Sequence, residues 1–189
     1  MQRAFDILIS LSSLLLLSPI LFVIAIILRI TGEGEIFYIQ ERVGKEKIRF
    51  GLIKFATMKK NSPFIGSGEI TLKNDPRVLP FGKILRKTKF NEIPQLINIL
   101  LGQMSIVGPR PMVPNTFSDY PIQAQEKLST VSPGLTGIGS IFFRDEESYL
   151  DDNESSKYFY KNIIIPYKSE LEQWYIENYG IKIYLLIIF

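Results

Sequence analysis

Hydrophobic and polar positions change rhythm several times along this chain, and each change marks an element. From Ile7 to Leu28 the chain is almost wholly apolar and carries no charge. As a helix that stretch spans roughly 33 Å, about the thickness of a bilayer's hydrocarbon layer. Arg29-Ile30-Thr31-Gly32-Glu33 offers no small-residue cleavage site, which argues against a signal peptide. Ser18-Pro19 sits near the middle, where proline removes a backbone hydrogen bond and bends a helix. Arg3 precedes the run, and Arg29, Arg42, Lys45, Lys47 and Arg49 follow it. Positive residues on both flanks fit two ends on one side of the membrane. A spanning helix and a re-entrant helix-break-helix turning at Ser18-Pro19 both satisfy the pattern. In the second, the Ser18 hydroxyl would serve a carbonyl freed by Pro19. Asp6 is expected at the membrane edge, met by water or a basic side chain.

Beyond residue 30 the rhythm is that of a small polar domain. Residues 36–40 and 49–55 read as two strands joined through the turn at 41–45, a β-hairpin. Residues 59–77 are rich in Lys, Asn, Ser, Gly and Pro and read as a loop. Pro80 to Lys87 reads as a short basic helix carrying Lys83, Arg86 and Lys87. Ile93, Leu96, Ile97, Leu100 and Leu101 recur at i, i+3, i+4, i+7 and i+8, which predicts one apolar helix face. Asn91 stands where the N-cap of that helix belongs, Pro94 is tolerated in its first turn, and Gly102 stops it. The proline-rich stretch 105–121 is expected to be extended or turned. Residues 123–131 suggest a short helix, 132–137 a turn and 138–143 a strand. Residues 153–175 read as helix broken near Pro166, and 181–189 as an apolar tail suited to packing or to a membrane interface. The expected class is α+β, mostly helical: a membrane helix over 1–30 and a membrane-associated domain with a β-hairpin over 31–189.

Composition narrows the chemistry. The net charge is +3, so no global charge argument points to nucleic acid. There is no cysteine, hence no disulfide, thiolate metal site or cysteine nucleophile. There is no histidine, which excludes a Ser-His-Asp triad and a zinc site of the usual kind. Carboxylates, Lys, Arg, Tyr and Ser remain, alone or with a hard metal ion, and carboxylates with Mg²⁺ acting on phosphate fit that set.

Four groups of residues could carry such chemistry. Asn91-Glu92 opens a helix, where capping and the helix dipole explain both residues as well as phosphate or Mg²⁺ binding does. Arg110 lies between Pro109 and Pro111, so its backbone is restricted and its guanidinium fork suits a diphosphate. Lys83, Arg86 and Lys87 read as a solvated face that also suits acidic headgroups. Arg144-Asp145-Glu146-Glu147 reads as surface ion pairing that could also hold a divalent cation.

Taken in order, the segments of this chain resemble the monotopic phosphoglycosyl transferases, the bacterial sugar transferase family. The resemblance is carried by Arg3-Ala4-Phe5-Asp6, Ser18-Pro19, Gln40-Glu41-Arg42-Val43-Gly44 and Lys54-Phe55-Ala56-Thr57-Met58. It continues through Asn74-Asp75-Pro76-Arg77, Leu85-Arg86-Lys87-Thr88 and Asn91-Glu92-Ile93-Pro94-Gln95-Leu96. Val107-Gly108-Pro109-Arg110-Pro111 and Pro133-Gly134-Leu135-Thr136-Gly137 complete it. It implies a re-entrant membrane helix, the bacterial inner membrane with the active site on its cytoplasmic face, and Mg²⁺. It implies transfer of a sugar-1-phosphate from a nucleotide diphosphate sugar to a polyprenol phosphate of the undecaprenyl type, starting a surface glycan. Membrane lipids are further expected partners, nucleic acid is not, and a homodimer is compatible with the chain.

By position, Glu92 matches the family's metal-binding Glu, and Arg86, Arg110 and Arg144 match phosphate-binding residues. Three departures stand out. Asn91 replaces the nucleophilic Asp, and a neutral amide is a very poor nucleophile and no base. Ala56 stands where Lys or Arg is usual, and residues 138–147 replace a less acidic stretch. The expectation is catalysis with a relocated carboxylate, Glu92 first and Glu146 or Glu147 second, or a direct transfer. Lys83 is a second-tier phosphate contact. The rival reading is a catalytically inactive relative that binds lipid phosphate or serves as a scaffold.

Overall fold

A computed structural model describes residues 2–64, 71, 75–144 and 154–188. The apolar run forms one helix, α1 (Gln2–Thr31), with Pro19 inside it. The expected break at Ser18-Pro19 is therefore not an interruption of the helix. Proline leaves the carbonyl four residues earlier without its usual donor, and here the Ser18 hydroxyl donates to Leu15 O at 2.8 Å. That bond, foreseen in kind from the sequence, satisfies the freed carbonyl.

The middle of α1 packs on little, with Leu15, Leu16 and Phe22 about two-thirds or more exposed. Its two ends are anchored on the domain. Near the start, Ile9 and Leu14 pack on the main core, and Arg3 donates to the carbonyls of Ile99 and Leu100. Near the end, Ile24 and Leu28 join Phe55 and Leu85 in a second cluster.

The predicted hairpin forms from β1 (Phe37–Val43) and β2 (Arg49–Phe55), antiparallel, with Tyr38 opposite Lys54 and Arg42 opposite Phe50. β1 runs three residues past its expected end because Glu41, Arg42 and Val43 all pair with β2. Helix α2 (Pro80–Lys87) has the predicted bounds, with proline in its first turn. Helix α3 (Gln95–Leu100) is shorter and turned differently from the expected one. Its buried face is Gln95, Leu96, Asn98 and Ile99, while Ile97 and Leu101 are exposed. The cause is Asn98, which reaches the backbone of β2. Its Oδ1 accepts from Ile53 N at 3.0 Å, and its Nδ2 donates to Gly51 O at 2.8 Å. Satisfying those backbone groups outweighs burying two more aliphatic side chains.

Strand β3 (Ser105–Val107) follows, then α4 (Pro114–Ser118), which the proline pattern had suggested would be extended, and α5 (Ile122–Leu128). Residues 134–136 are not a free turn: β4 (Gly134–Thr136) pairs in parallel with β3. The pair is possible because a side chain at Gly134 or Gly137 would overlap the backbone of Gly108. The strand expected over 138–143 is instead α6 (Ile138–Phe142). Apolar runs this short do not separate strand from helix by periodicity. Helices α7 (Glu154–Phe159) and α8 (Ile165–Glu177) are joined by a π turn at Tyr160–Ile164, the form taken by the break expected near Pro166. The apolar tail is helix α9 (Ile181–Ile188).

The main core gathers Phe50 and Leu52 of β2, Leu96 and Ile99 of α3, Met104, Ile106 and Val107 around β3, Tyr175 of α8 and Tyr184 of α9. Asp6 lies inside this core, 3 % exposed, not at an edge in contact with water. Its Oδ1 accepts from the Ser105 hydroxyl at 3.0 Å, Ile106 N at 2.9 Å and the Tyr184 hydroxyl at 2.8 Å. Three donors from β3 and α9 thus fix the start of α1.

Candidate active site

The inner face of the hairpin builds one wall. Alternation along β1 and β2 puts Tyr38, Gln40 and Arg42 on the same face as Phe50, Leu52 and Lys54. Gln40 Oε1 accepts from both Arg42, at 2.7 Å, and Lys54 Nζ, at 3.1 Å. The Lys54 ammonium also lies 5.2 Å from the Tyr38 ring centre. Arg42 extends to the Pro111 carbonyl at 3.0 Å, tying the hairpin to the proline-flanked loop.

Arg110 stands on that loop, just after β3, and donates to Glu92 Oε1 at 3.2 Å. Glu92 belongs to a 3₁₀ turn, Phe90–Glu92, entered through Lys89 in the left-handed region (φ 60°). Asn91 is therefore inside that turn and does not cap α3; Pro94 holds the N-cap position, with no side-chain capping bond. Two short turns of different pitch meet here, and the capping pattern in the sequence does not distinguish them. Asn91 is buried, and its Oδ1 has no hydrogen-bond partner among the described residues.

Arg42, Arg86 and Arg110 thus act on Lys54 from three segments of the chain, and Glu92 is the carboxylate that acts on it in turn. Their fields are felt in both directions. Burial, then Arg42, Arg86 and Arg110, push the Lys54 ammonium down to about 7, against the opposing pull of Glu92. Burial alone would raise the Glu92 carboxyl, but the Arg110 guanidinium, with Lys89 and Lys54, holds it below the usual carboxylate range. Such a cleft is organised to receive negative charge.

Of the residues singled out from sequence, Glu92, Asn91, Arg86 and Arg110 converge. Lys83 is exposed on α2, and Arg144 is exposed just after α6, with no hydrogen bond or ion pair among the described residues. Glu146 and Glu147 lie outside the described residues. Lys54 and Arg42 were missed as site residues. Their signal was a charged residue on the inner face of an alternating strand, at positions matching Phe50 and Leu52.

Glu172 was also missed. It shares a buried face of α8 with Ile165, Lys168, Ser169 and Tyr175, a helical spacing that places an acid and a base at core positions. It is 3 % exposed and neither carboxylate oxygen has a hydrogen bond of normal geometry. Burial pushes its carboxyl up to about 7, although Lys168 and the facing backbone amides of Arg110 and Gly139 pull it down.

Known proteins resemble this chain along most of its length. The exopolysaccharide production protein ExoY of Sinorhizobium fredii is 37% identical over 162 residues, covering 78% of this chain and 71% of the relative. The exopolysaccharide production protein PSS of Rhizobium leguminosarum bv. phaseoli is 43% identical over 146 residues, 75% of this chain and 73% of the relative. The undecaprenyl-phosphate galactose phosphotransferase of Salmonella typhimurium is 30% identical over 204 residues, spanning 100% of this chain but 39% of the relative. The bacterial sugar transferase family pattern matches residues 1–189, and the chain belongs to that family.

Proposed function

We propose that this protein transfers a sugar-1-phosphate from a nucleotide diphosphate sugar to a polyprenol phosphate, the priming step of exopolysaccharide assembly. The observation that carries the reading is the cluster of Arg42, Lys54, Arg86 and Arg110 with Glu92, in a chain similar to a protein named as an undecaprenyl-phosphate galactose phosphotransferase. In the transfer, the bond between the two phosphates of the donor breaks and nucleoside monophosphate leaves. The sugar phosphate ends on an oxygen of the lipid phosphate.

The chain's own residues divide the work. Arg110 holds a phosphate oxygen through its guanidinium fork, and Arg42 and Arg86 supply positive potential from two other elements. Lys54, poised near neutrality, takes up a proton as the diphosphate enters and becomes the fourth positive group. Asn91 contributes its unpartnered Oδ1 as an orienting oxygen, and its amide cannot attack phosphorus. Attack then falls to Glu92, to Glu146 or Glu147, or to the lipid phosphate itself in a direct transfer.

The Glu92 carboxylate and the unpartnered Asn91 Oδ1 are hard oxygen donors of the kind Mg²⁺ takes. No group of three acidic or metal-ligating side chains forms a cage among the described residues. Glu92 and Asn91 would hold the ion, which would neutralise charge on the diphosphate when bound.

α1 has the length and composition to enter a membrane, with only 11% of its most apolar window buried in the protein. Both of its ends pack on one domain while its middle does not, which supports a re-entrant placement with the cleft at the cytoplasmic surface of the inner membrane. A lipid phosphate would then reach Arg110 from the bilayer. Release of nucleoside monophosphate from a panel of nucleotide sugars, with polyprenol phosphate as acceptor, tests the reading. The native chain is expected to release it, Glu92→Gln to lose at least roughly a hundredfold, and Asn91→Asp to retain it. Release by Asn91→Asp alone would mean that the native chain has lost the reaction.

A further inference from the structure

Glu172 is the one carboxylate of the described core with neither an ion pair nor a hydrogen bond of normal geometry. Leaving an acid so placed is costly, so its position calls for a reason. On one side it faces the backbone amide of Arg110. On the other it rests against α6: a methyl group at Gly139 would overlap its Oε1, and one at Gly137 would touch its Oε2 at 3.7 Å. Gly139 thus makes room for this carboxylate, while Gly137 lies at ordinary contact distance from it. The carboxylate lies behind the backbone and is 3 % exposed, so it cannot reach a substrate in the cleft.

We propose that Glu172 is a positioning residue for Arg110, a buried counter-anion behind the Pro109-Arg110-Pro111 loop that sets both the place and the strength of the anion site. Its carboxylate spaces the Arg110 backbone from α6, and its charge subtracts from the positive potential in front. An anion bound at Arg110 raises the cost of ionising Glu172, so a proton enters behind the loop as the anion arrives in front. The charged and titratable groups facing Glu172 are Lys168, one turn earlier on α8, Arg110 on the loop, and Tyr175 on the following turn. Lys168 is itself buried, with its ammonium 5.6 Å from the Phe143 ring centre.

The inference rests on the phosphate-handling reading of the cleft, and its test separates the two. Inorganic pyrophosphate is titrated calorimetrically into the full chain in detergent micelles, at pH 6 and pH 8. Glu172→Gln keeps the size of the side chain and removes its charge. It is expected to bind like the native chain at pH 6 and about fivefold more tightly at pH 8. A purely structural role would not separate the two pH values. Gly139→Ala pushes the carboxylate away and is expected to weaken binding about fivefold at both pH values. Most of that loss should disappear in the Glu172→Ala background, where the added methyl group meets only Lys168 Cγ, at 3.2 Å.

Binding with the same pH dependence in native and Glu172→Gln chains would overturn the role of Glu172 and leave the proposed function standing. So would a Gly139→Ala loss that persists in full without Glu172. Pyrophosphate binding that follows the expected pattern, in a chain that releases no nucleoside monophosphate, would support Glu172 while refuting the transfer reaction. No binding at either pH would refute the anion site and the role of Glu172 together.

Discussion

Two buried carboxylates in this domain have opposite surroundings. Asp6 is held by three donors drawn from β3 and α9, and Glu172 by none of normal geometry. Both are 3 % exposed. Burial alone therefore does not say what an acid does. A fully satisfied carboxylate returns its desolvation cost to the fold and fixes the elements that satisfy it. An unsatisfied one leaves that cost in place, beside the loop that carries Arg110, where it influences the charge of the cleft. The first is a structural joint and the second belongs to the site.

The contrast can be broken most directly at the joint. Asp6→Ala leaves three buried donors facing nothing and is expected to cost about 3 kcal/mol or more in unfolding free energy. Denaturant unfolding in detergent would measure this, and a loss below about 1 kcal/mol would remove the distinction. At Glu172 the effect should be smaller, opposite in sign and dependent on pH. Its folded-state pKa is raised, so the native fold binds a proton that the unfolded chain has released between about pH 4.5 and pH 7. Native stability therefore falls as pH rises through that window. Glu172→Gln should gain on the order of 1–3 kcal/mol relative to the native chain at pH 8 and little at pH 4. A pH-independent difference between the two would contradict that account. Tyr184→Phe is the finest probe, since it removes one of the three Asp6 donors and leaves the ring in the core. A loss of about 1 kcal/mol is expected, with anion binding unchanged.

Lys54 offers a mirror image of Glu172. Its depressed pKa means that the folded chain loses stability as pH falls from about 10.5 to about 7. Lys54→Met should flatten that slope in a thermal melt while weakening pyrophosphate binding.

Legibility in the sequence followed the range of the interactions. Helix α2 and the hairpin were readable because proline at a helix start and two-residue alternation are local signals. So was the partner of Leu15 O, since Ser18 lies three residues from it. The rotation of α3 was not readable, because it depends on Asn98 meeting strand β2, 45 residues away in the chain at Ile53. The β3–β4 pair is three residues long on each side and rests on glycine contacts across the fold. Asp6 was placed at a wet edge because its donors lie about a hundred residues or more along the chain. At the site, Glu92 and Arg110 were found one by one, and their ion pair was not. Lys54 and Glu172 resembled misplaced charges in apolar patterns until the elements around them were in position.

The Asp6 joint also imposes an order of assembly during synthesis. α1 is made before the domain it packs on, and the Tyr184 hydroxyl that completes the Asp6 socket is made 178 residues later. Until then the helix waits with its acid only partly matched. A chain halted before α9 would carry α1 with Asp6 short of one donor and a core without Tyr184.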